Sequence, residues 1–508
     1  MRKFFSNALI AFTALALLPP SLLLAGSDFA QMNRSVIPRF TLQQAILTAL
    51  QRNADIQRAR EDIERTKGLY IAVRAEALPQ IGSTLSIQNV DPHLGSISTG
   101  SGSGLSGVPT QYTISLQATQ VVFAGGRIIS NIRSATFQRD ASYFSFRNTI
   151  DQVIATVKQQ FYQILLNRAL VGVQEESVKL LQSQLTDQQN RFEAGTVPRF
   201  NVLQAQVALS NQYPVLITAQ NNYRISQLQL AKTLGLDFDP ARGDRAPLEA
   251  VGELIYQPRR MPLDMAIEVA KERRPFLKQQ KATMLSNAEQ VRVARAGYFP
   301  QLNVSAGEDF QSSPISENIA SVRSGYVFGG TGTWAIWDMG ATYGAVKQAT
   351  AILRQAQITY DDAVRQVELE VQQADSTVKQ SAELVKATEE SVGQAEEALR
   401  LASARLSAGA GTQLEVLDSR VQVTQAQSNR LQALFNYNAA QSEFDRVTAT
   451  EVVYSNELDE PKTREKLKTD ARPTPAPKPS PLELNHAGDR QPVQKTTTTR
   501  TTRTSSGK

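Results

Sequence analysis

Apolar positions in residues 341–408 recur every seven residues. Val364, Val371, Val378, Val385, Val392, Leu399 and Leu406 form one row, and Val367, Ala374, Ser381, Thr388, Ala395 and Ala402 fill the alternate row. A 3–4 spacing kept over six heptads predicts a helix that supercoils left-handedly against its neighbours. The second row is small, so those neighbours approach closely. About 66 residues at 1.5 Å each make this helix roughly 100 Å long, more than a compact domain uses. A different period governs residues 111–124, where Tyr112, Ile114, Leu116 and Ala118 alternate with Thr113, Ser115, Gln117 and Thr119. That is a strand with one apolar and one polar face. Strands are also predicted over 80–90, 301–311 and 325–338, with polar loops inside each pair. Helical patterns cover 41–77, 127–194, 199–234 and 413–448, and a further helix ends at Phe299-Pro300.

These elements occur twice. Arg191, Ala194, Gly195, Val202, Leu203 and Val207 match Arg405, Ala408, Gly409, Val416, Leu417 and Val421 at an offset of 214, and the register continues through Tyr223 and Tyr437. Upstream, Leu42, Ala45, Ile46, Ala49, Arg52, Pro79 and Gln80 match Leu263, Ala266, Ile267, Ala270, Arg273, Pro300 and Gln301. The chain therefore reads as one unit used twice, over 40–235 and 261–450, with 236–260 as a linker. Each unit runs helix, strand, strand, long helix, glycine turn, helix. The helix-to-strand switches fall at Pro79 and Pro300, because proline cannot continue a helix and holds the residue before it extended.

A coiled-coil rod has no use for two alternating hairpins, whereas a membrane β-barrel does. The fourth predicted strand carries Tyr326, Phe328, Trp334 and Trp337, which suit an interfacial aromatic girdle against lipid. Four strands cannot close a barrel, since the smallest membrane barrels use eight. Copies must share one, and two, three or four of them supply eight, twelve or sixteen strands.

The first 27 residues, with Arg2 and Lys3 ahead of the apolar run Ala8–Leu18, form a secretory signal cleaved between about 25 and 30. The chain has no cysteine, so an exported product is held together by packing alone. Of the net charge of +6, the Pro/Thr/basic tail from Asp459 onward accounts for +5 and the leader for +2, leaving the body at −1. Residues 456–508 read as disordered, and the body has no charge to support nucleic-acid binding. Only two histidines occur, His93 in a predicted loop and His486 in the tail. With no cysteine and no clustered histidine, zinc sites of the usual kinds are excluded, and a Ser–His–acid arrangement would have to borrow a histidine from a loop or the tail. No metal or cofactor is expected, and the chain does not read as an enzyme.

The ordered duplication, together with the R-F-x-A-G…V-L-x-A-Q turn, resembles the TolC-type outer-membrane efflux and secretion ducts over roughly residues 40–450. The resemblance implies a mainly α fold with a membrane β-barrel part, in which a homotrimer forms a 12-stranded β-barrel continued by a 12-helix α-barrel across the periplasm. It implies a passive channel of tripartite efflux or type I secretion in a Gram-negative-type outer membrane. The tip, built from Gly195, Thr196, Gly409, Gly411 and Thr412, would dock a periplasmic adaptor (membrane fusion) protein, and an inner-membrane pump or ABC exporter would supply substrate.

By the same resemblance, Glu415 and Asp418 match two acidic positions that ring the periplasmic constriction. Three residues apart, they share a helical face, and six carboxylates around a narrow opening favour cations. The chain departs from the family's pattern at the partner positions, with Asn201 in place of an acid and Gly411 in place of an arginine. Arg199, Arg405 and Arg420 lie nearby, and packing of Leu406, Phe200 and Leu414 is an alternative means of closure. The competing reading is a periplasmic coiled-coil adaptor or scaffold that conducts nothing. Such a protein usually has one helical hairpin, and this chain has two.

Overall fold

The computed structural model of the chain describes residues 38–89, 110–237, 248–258, 261–312 and 323–452. The predicted leader and tail, and the loops inside the strand pairs, lie outside these residues. The first half comprises β1 (Arg39–Phe40), α1 (Leu42–Arg52), α2 (Ala54–Ala75), β2 (Gln80–Asn89), β3 (Thr110–Ala124), α3 (Arg127–Glu193) and α4 (Arg199–Thr233). The second comprises β4 (Glu249–Ala250), α5 (Leu263–Arg273), α6 (Pro275–Arg295), β5 (Gln301–Ser312), β6 (Arg323–Thr333), α7 (Ala341–Ser407) and α8 (Gln413–Val447).

The first helical stretch differs from the sequence reading. The helix expected over 41–77 is two helices, broken at Asn53, whose backbone is extended and whose Oδ1 accepts hydrogen bonds from the Asp55 and Ile56 amides. Its counterpart 221 residues on is Arg274, also extended, where Pro275 forbids a helical conformation for the residue before it. A self-capping asparagine and a proline thus place the same break at equivalent points.

The helices α3 and α7 span 67 residues each, about 100 Å at the helical rise. Both heptad rows of α7 face neighbours: Val367, Val371, Ala374, Ser381 and Val385 are buried, and Val364 and Val378 pack at the edge of the core. Burial is uneven along the helix. Between Val385 and the end of α7 only Ala402 is buried. The packed region instead sits midway, where α1, α3, α4 and β4 share one core and α5, α6, α7 and α8 share another.

The segment joining the halves belongs to this packed belt. β4 pairs in parallel with β1, Leu248 and Ala250 are fully buried, and the Tyr256 ring lies 4.8 Å from that of Tyr437. The Tyr437 hydroxyl donates to the Gln257 carbonyl at 2.7 Å. On the same belt Arg274 pairs with Glu370, and Arg446 reaches both Glu443 (2.6 Å) and Glu370 (3.9 Å). Burial alone would raise the Glu370 carboxyl. Hydrogen bonds from Gln366 and Arg274, with the charges of Arg274 and Arg446, outweigh it and hold the group below its usual range.

Above the helices lies one antiparallel sheet in the order β2-β3-β5-β6. Cross-strand partners share a face. Ile81, Ala118, Ala306 and Phe328 fall in one row, and Leu85, Ile114 and Phe310 in another row of the same face. Thr84, Ser115 and Asp309 lie on the opposite, polar face. Glu308, beside Leu116 and Tyr326, is the one charge on the apolar face among the described residues. Neither β2 nor β6 has a second strand partner among the described residues. No described helix is long and apolar enough to cross a membrane.

Candidate functional site

The two glycine turns lie at the far ends of the long helices. At each, the chain closes its helix with the left-handed residue and paired hydrogen bonds that such an end requires. Gly195 has φ of 72° and Gly409 has φ of 75°. The Gly195 amide bonds the Phe192 carbonyl and Thr196 bonds Arg191; likewise Gly409 bonds Leu406 and Ala410 bonds Arg405. The helices that follow start differently. Pro198 opens α4 without a side-chain cap, whereas Thr412 caps α8 by accepting from the Glu415 amide at 3.3 Å.

That cap gives Glu415 local partners. The Thr412 hydroxyl also donates to Glu415 Oε1 at 3.3 Å, and Arg405 Nη1 lies 3.9 Å from Oε2. Asp418 is exposed, with no hydrogen bond or ion pair among the described residues. Within one chain, then, one of the two candidate acids is engaged at the helix start and the other is free.

Of the nearby arginines, Arg405 reaches Glu415, and Arg420 donates from α8 to the Leu180 carbonyl of α3 at 3.3 Å. Burial pushes the Arg420 guanidinium below its usual value. This bond ties one helical hairpin to the other. Arg199, at the start of α4, is exposed. Gly411 has a steric reason to lack a side chain: a Cβ there would stand 2.9 Å from the Leu406 amide nitrogen and 3.1 Å from the Arg405 carbonyl carbon. Phe200 and Leu414 are exposed on the first turns of α4 and α8, so within one chain they close nothing.

At the other end, Pro79 and Pro300 immediately precede β2 and β5. Gly125, with φ of 57°, lets the end of β3 pass close to the second switch; a Cβ would lie 2.7 Å from Phe299 Cβ and 2.8 Å from the Ala296 carbonyl oxygen. The Gly125-Gly126 pair is the sequence feature at this close approach. Gln120 Nε2 bonds the Ala77 carbonyl here, and Trp334 Nε1 bonds the Tyr298 carbonyl.

The aromatic residues divide. Tyr326 and Phe328 project from β6 on the apolar face, each 80% exposed. Trp334 and Trp337 lie beyond the strand, which ends at Thr333 and not at 338 as the alternation predicts. The ladder stops there because Thr333 pairs with Gln301, the first residue of β5, and Pro300 before it has no amide to offer. Asp338, which the sequence reading passed over, accepts from the Gly340 and Thr342 amides at 3.0 and 2.7 Å and so caps α7.

A family model described as outer membrane efflux protein matches residues 45–236 and 266–450. The toluene efflux pump outer membrane protein TtgC of Pseudomonas putida is 26% identical over 306 residues, 58% of this chain and 57% of its own, so this chain spans little more than half of that relative. SepC of Pseudomonas putida, a probable efflux pump outer membrane protein, is 23% identical over 424 residues, covering 80% of this chain and 83% of its own. Among solved structures, the CmeC outer membrane channel of Campylobacter jejuni superposes with a TM-score of 0.70 at 15% identity, over 80% of this chain and 85% of its own. The outer membrane protein VceC of Vibrio cholerae gives 0.67 at 17% identity, over 80% and 95%. The fold is therefore that of these channels, a helical barrel part with a β-barrel part.

Proposed function

This chain belongs to the outer membrane efflux protein family, and on that footing we propose that it is a passive duct of the outer membrane. Three copies contribute twelve strands to one barrel, and their helical hairpins continue it through the periplasm as a twelve-helix tube. The tip at Gly195, Thr196, Gly409, Gly411 and Thr412 docks a periplasmic adaptor. An inner-membrane pump or ABC exporter then feeds substrate into the tube, and the chain itself catalyses nothing.

The observation that carries this reading is the four-stranded sheet with one apolar face, one polar face and two edges that are unpartnered among the described residues. Lipid suits the first face and a wet lumen the second, and the edges are satisfied only by other copies. In the lumen at the tip, Glu415 and Asp418 from each copy form a carboxylate ring that attracts cations. Arg420, reaching α3 from α8, holds the two hairpins of one copy together beside that ring.

Outer-membrane fractionation followed by gel migration with and without heating tests the proposal. The expected result is a detergent-extracted species that runs as an oligomer unheated and as a monomer after boiling. A chain recovered as a freely soluble periplasmic protein would leave a coiled-coil scaffold as the better account.

A further inference from the structure

The repeat holds strand by strand. Gln80 pairs with Thr119 in the first hairpin and Gln301 with Thr333 in the second, related by the sequence offsets of 221 and 214. Backbone detail follows: Gly125 and Gly126 have φ of 57° and 84°, and their equivalents Met339 and Gly340 have 53° and 88°.

One pairing lacks its counterpart. β3 pairs with β5, joining the end of the first unit to the start of the second. Carried forward by the same offsets, this junction places β6 of one copy against β2 of another. The strand lengths point the same way. β3 runs to Ala124, five residues past its last partner in β2, and Gln120–Ala124 are held by β5 alone. The equivalents of those five residues are Trp334–Asp338, which have no strand partner and include Ile336 and Trp337, 79% and 80% exposed.

We propose that Trp334–Asp338 become strand only on assembly, by adding to β2 of a second copy in the register of the β3–β5 junction. This rests on the closed-barrel reading above and goes beyond it by fixing the seam. Thr333 then opposes Thr84 of the partner subunit, and Ala335 opposes Gly82 of the partner subunit. The irregularity between Val121 and Phe123 recurs at Ile336, after which Trp337 meets Ile81 of the partner subunit. The parity is self-consistent: Ile81 lies on the apolar face, whereas a slip of one residue would set Trp337 against the polar face.

The chain has no cysteine, so an introduced pair is the only possible disulfide. Within one chain β2 and β6 are the outer strands of a four-stranded sheet, about 14 Å apart, so any bridge joins copies. Three double variants are oxidised in the outer membrane: Thr333→Cys with Thr84→Cys, Ala335→Cys with Gly82→Cys, and the slipped control Thr333→Cys with Ser86→Cys. Two matched pairs are used because hydrogen-bonded and non-hydrogen-bonded positions differ in how readily they bridge. Oligomer yield is first read on unheated, reduced gels. At least one matched pair giving tenfold or more covalent oligomer than the control is the expected result. An intact oligomer that bridges only in the control, or in none of the three, overturns the register while the duct stands. A monomer in the soluble fraction, with the unsubstituted chain behaving likewise, removes the barrel itself and this seam with it.

Discussion

Gln120 and Trp334 donate the same hydrogen bond from different side chains. Gln120 Nε2 reaches the Ala77 carbonyl and Trp334 Nε1 the Tyr298 carbonyl, each at 3.2 Å. The donors stand 214 residues apart and the acceptors 221, so the repeat has kept an interaction and changed the residue that makes it. Both acceptors lie where a helix has just ended, leaving carbonyls without intrahelical partners, two residues before a proline.

Removing either donor should loosen the junction of helix and strand. Trp334→Phe and Gln120→Leu are each expected to cost about 0.5–1.5 kcal/mol, read as a lower temperature at which the unheated oligomer dissociates on gels. Pro300→Ala should lower that temperature too and leave substrate choice unchanged. A dissociation temperature equal to that of the natural chain in all three variants would show that the junction is held elsewhere.

At two equivalent left-handed positions, adding a side chain should destabilise and removing one should stabilise. Gly125→Ala puts a Cβ against Phe299 and the Ala296 carbonyl at a left-handed residue, expected to cost about 2 kcal/mol or more. Met339→Gly relieves the left-handed strain of a non-glycine residue, with an expected gain of about 1 kcal/mol. Thermal dissociation of the two variants side by side checks the pair.

The duplication, the long helices and the strand faces were legible because each is a periodicity, and periodicity survives in a bare sequence. The break at Asn53 was not, because Asn53 acts through a local hydrogen bond that leaves the apolar pattern undisturbed. Its equivalent at Arg274 did carry a signal in Pro275, which the reading of one helix ending at Phe299-Pro300 left unused. At the tip, Gly195 and Gly409 declared themselves by type. That Gly411 is excluded from carrying a side chain by the Arg405–Leu406 backbone required coordinates, as did the reach of Arg420 to Leu180. The overlong fourth strand was read from alternation that β6 does carry, although its ladder ends at Thr333 for want of a partner.

At the tip, Gly409→Val should abolish transport and leave barrel insertion intact. Nothing lies within 4 Å of a Cβ built at Gly409, so the cost, about 1–2 kcal/mol, stays in the turn. Export of a reporter substrate is measured alongside outer-membrane oligomer yield. Loss of the oligomer would make the turn a folding element.

Replacing Glu415 by Gln and Asp418 by Asn together should reduce cation preference in single-channel recordings and weaken block by multivalent cations. The effect should fade at high salt, where the Debye length is about 3 Å at 1 M. Glu415→Gln alone keeps an oxygen for the Thr412 hydroxyl, so the start of α8 should hold. Selectivity and block unchanged in the double variant would place these carboxylates away from the pore.

The belt should carry an acid-sensitive component. The Glu370 carboxyl is held below its ordinary value of 4.5 in the folded chain. Its contribution is therefore complete above that pH and is lost as pH falls through the lower folded value. Oligomer resistance to heat should drop across that window. Glu370→Gln should flatten the drop and lower stability at neutral pH by on the order of 3 kcal/mol, since it strands the buried Arg274 charge. An undiminished acid response in that variant would assign it to other carboxylates.

Burial along α7 sets how one copy of the proposed duct can bend. The packed stretch ends at Val385, and the twenty-odd residues beyond it bury little besides Ala402. Stiffness in a helical bundle comes from interlocked side chains, so within one copy this rod is clamped at its middle and held less firmly towards its free end. In the proposed duct, splaying of the last few turns would absorb a force at the tip and keep it from straining the strands in lipid. The docking end of that proposed duct would be reshaped at little cost, and the strands that seal the membrane would be mechanically insulated from it.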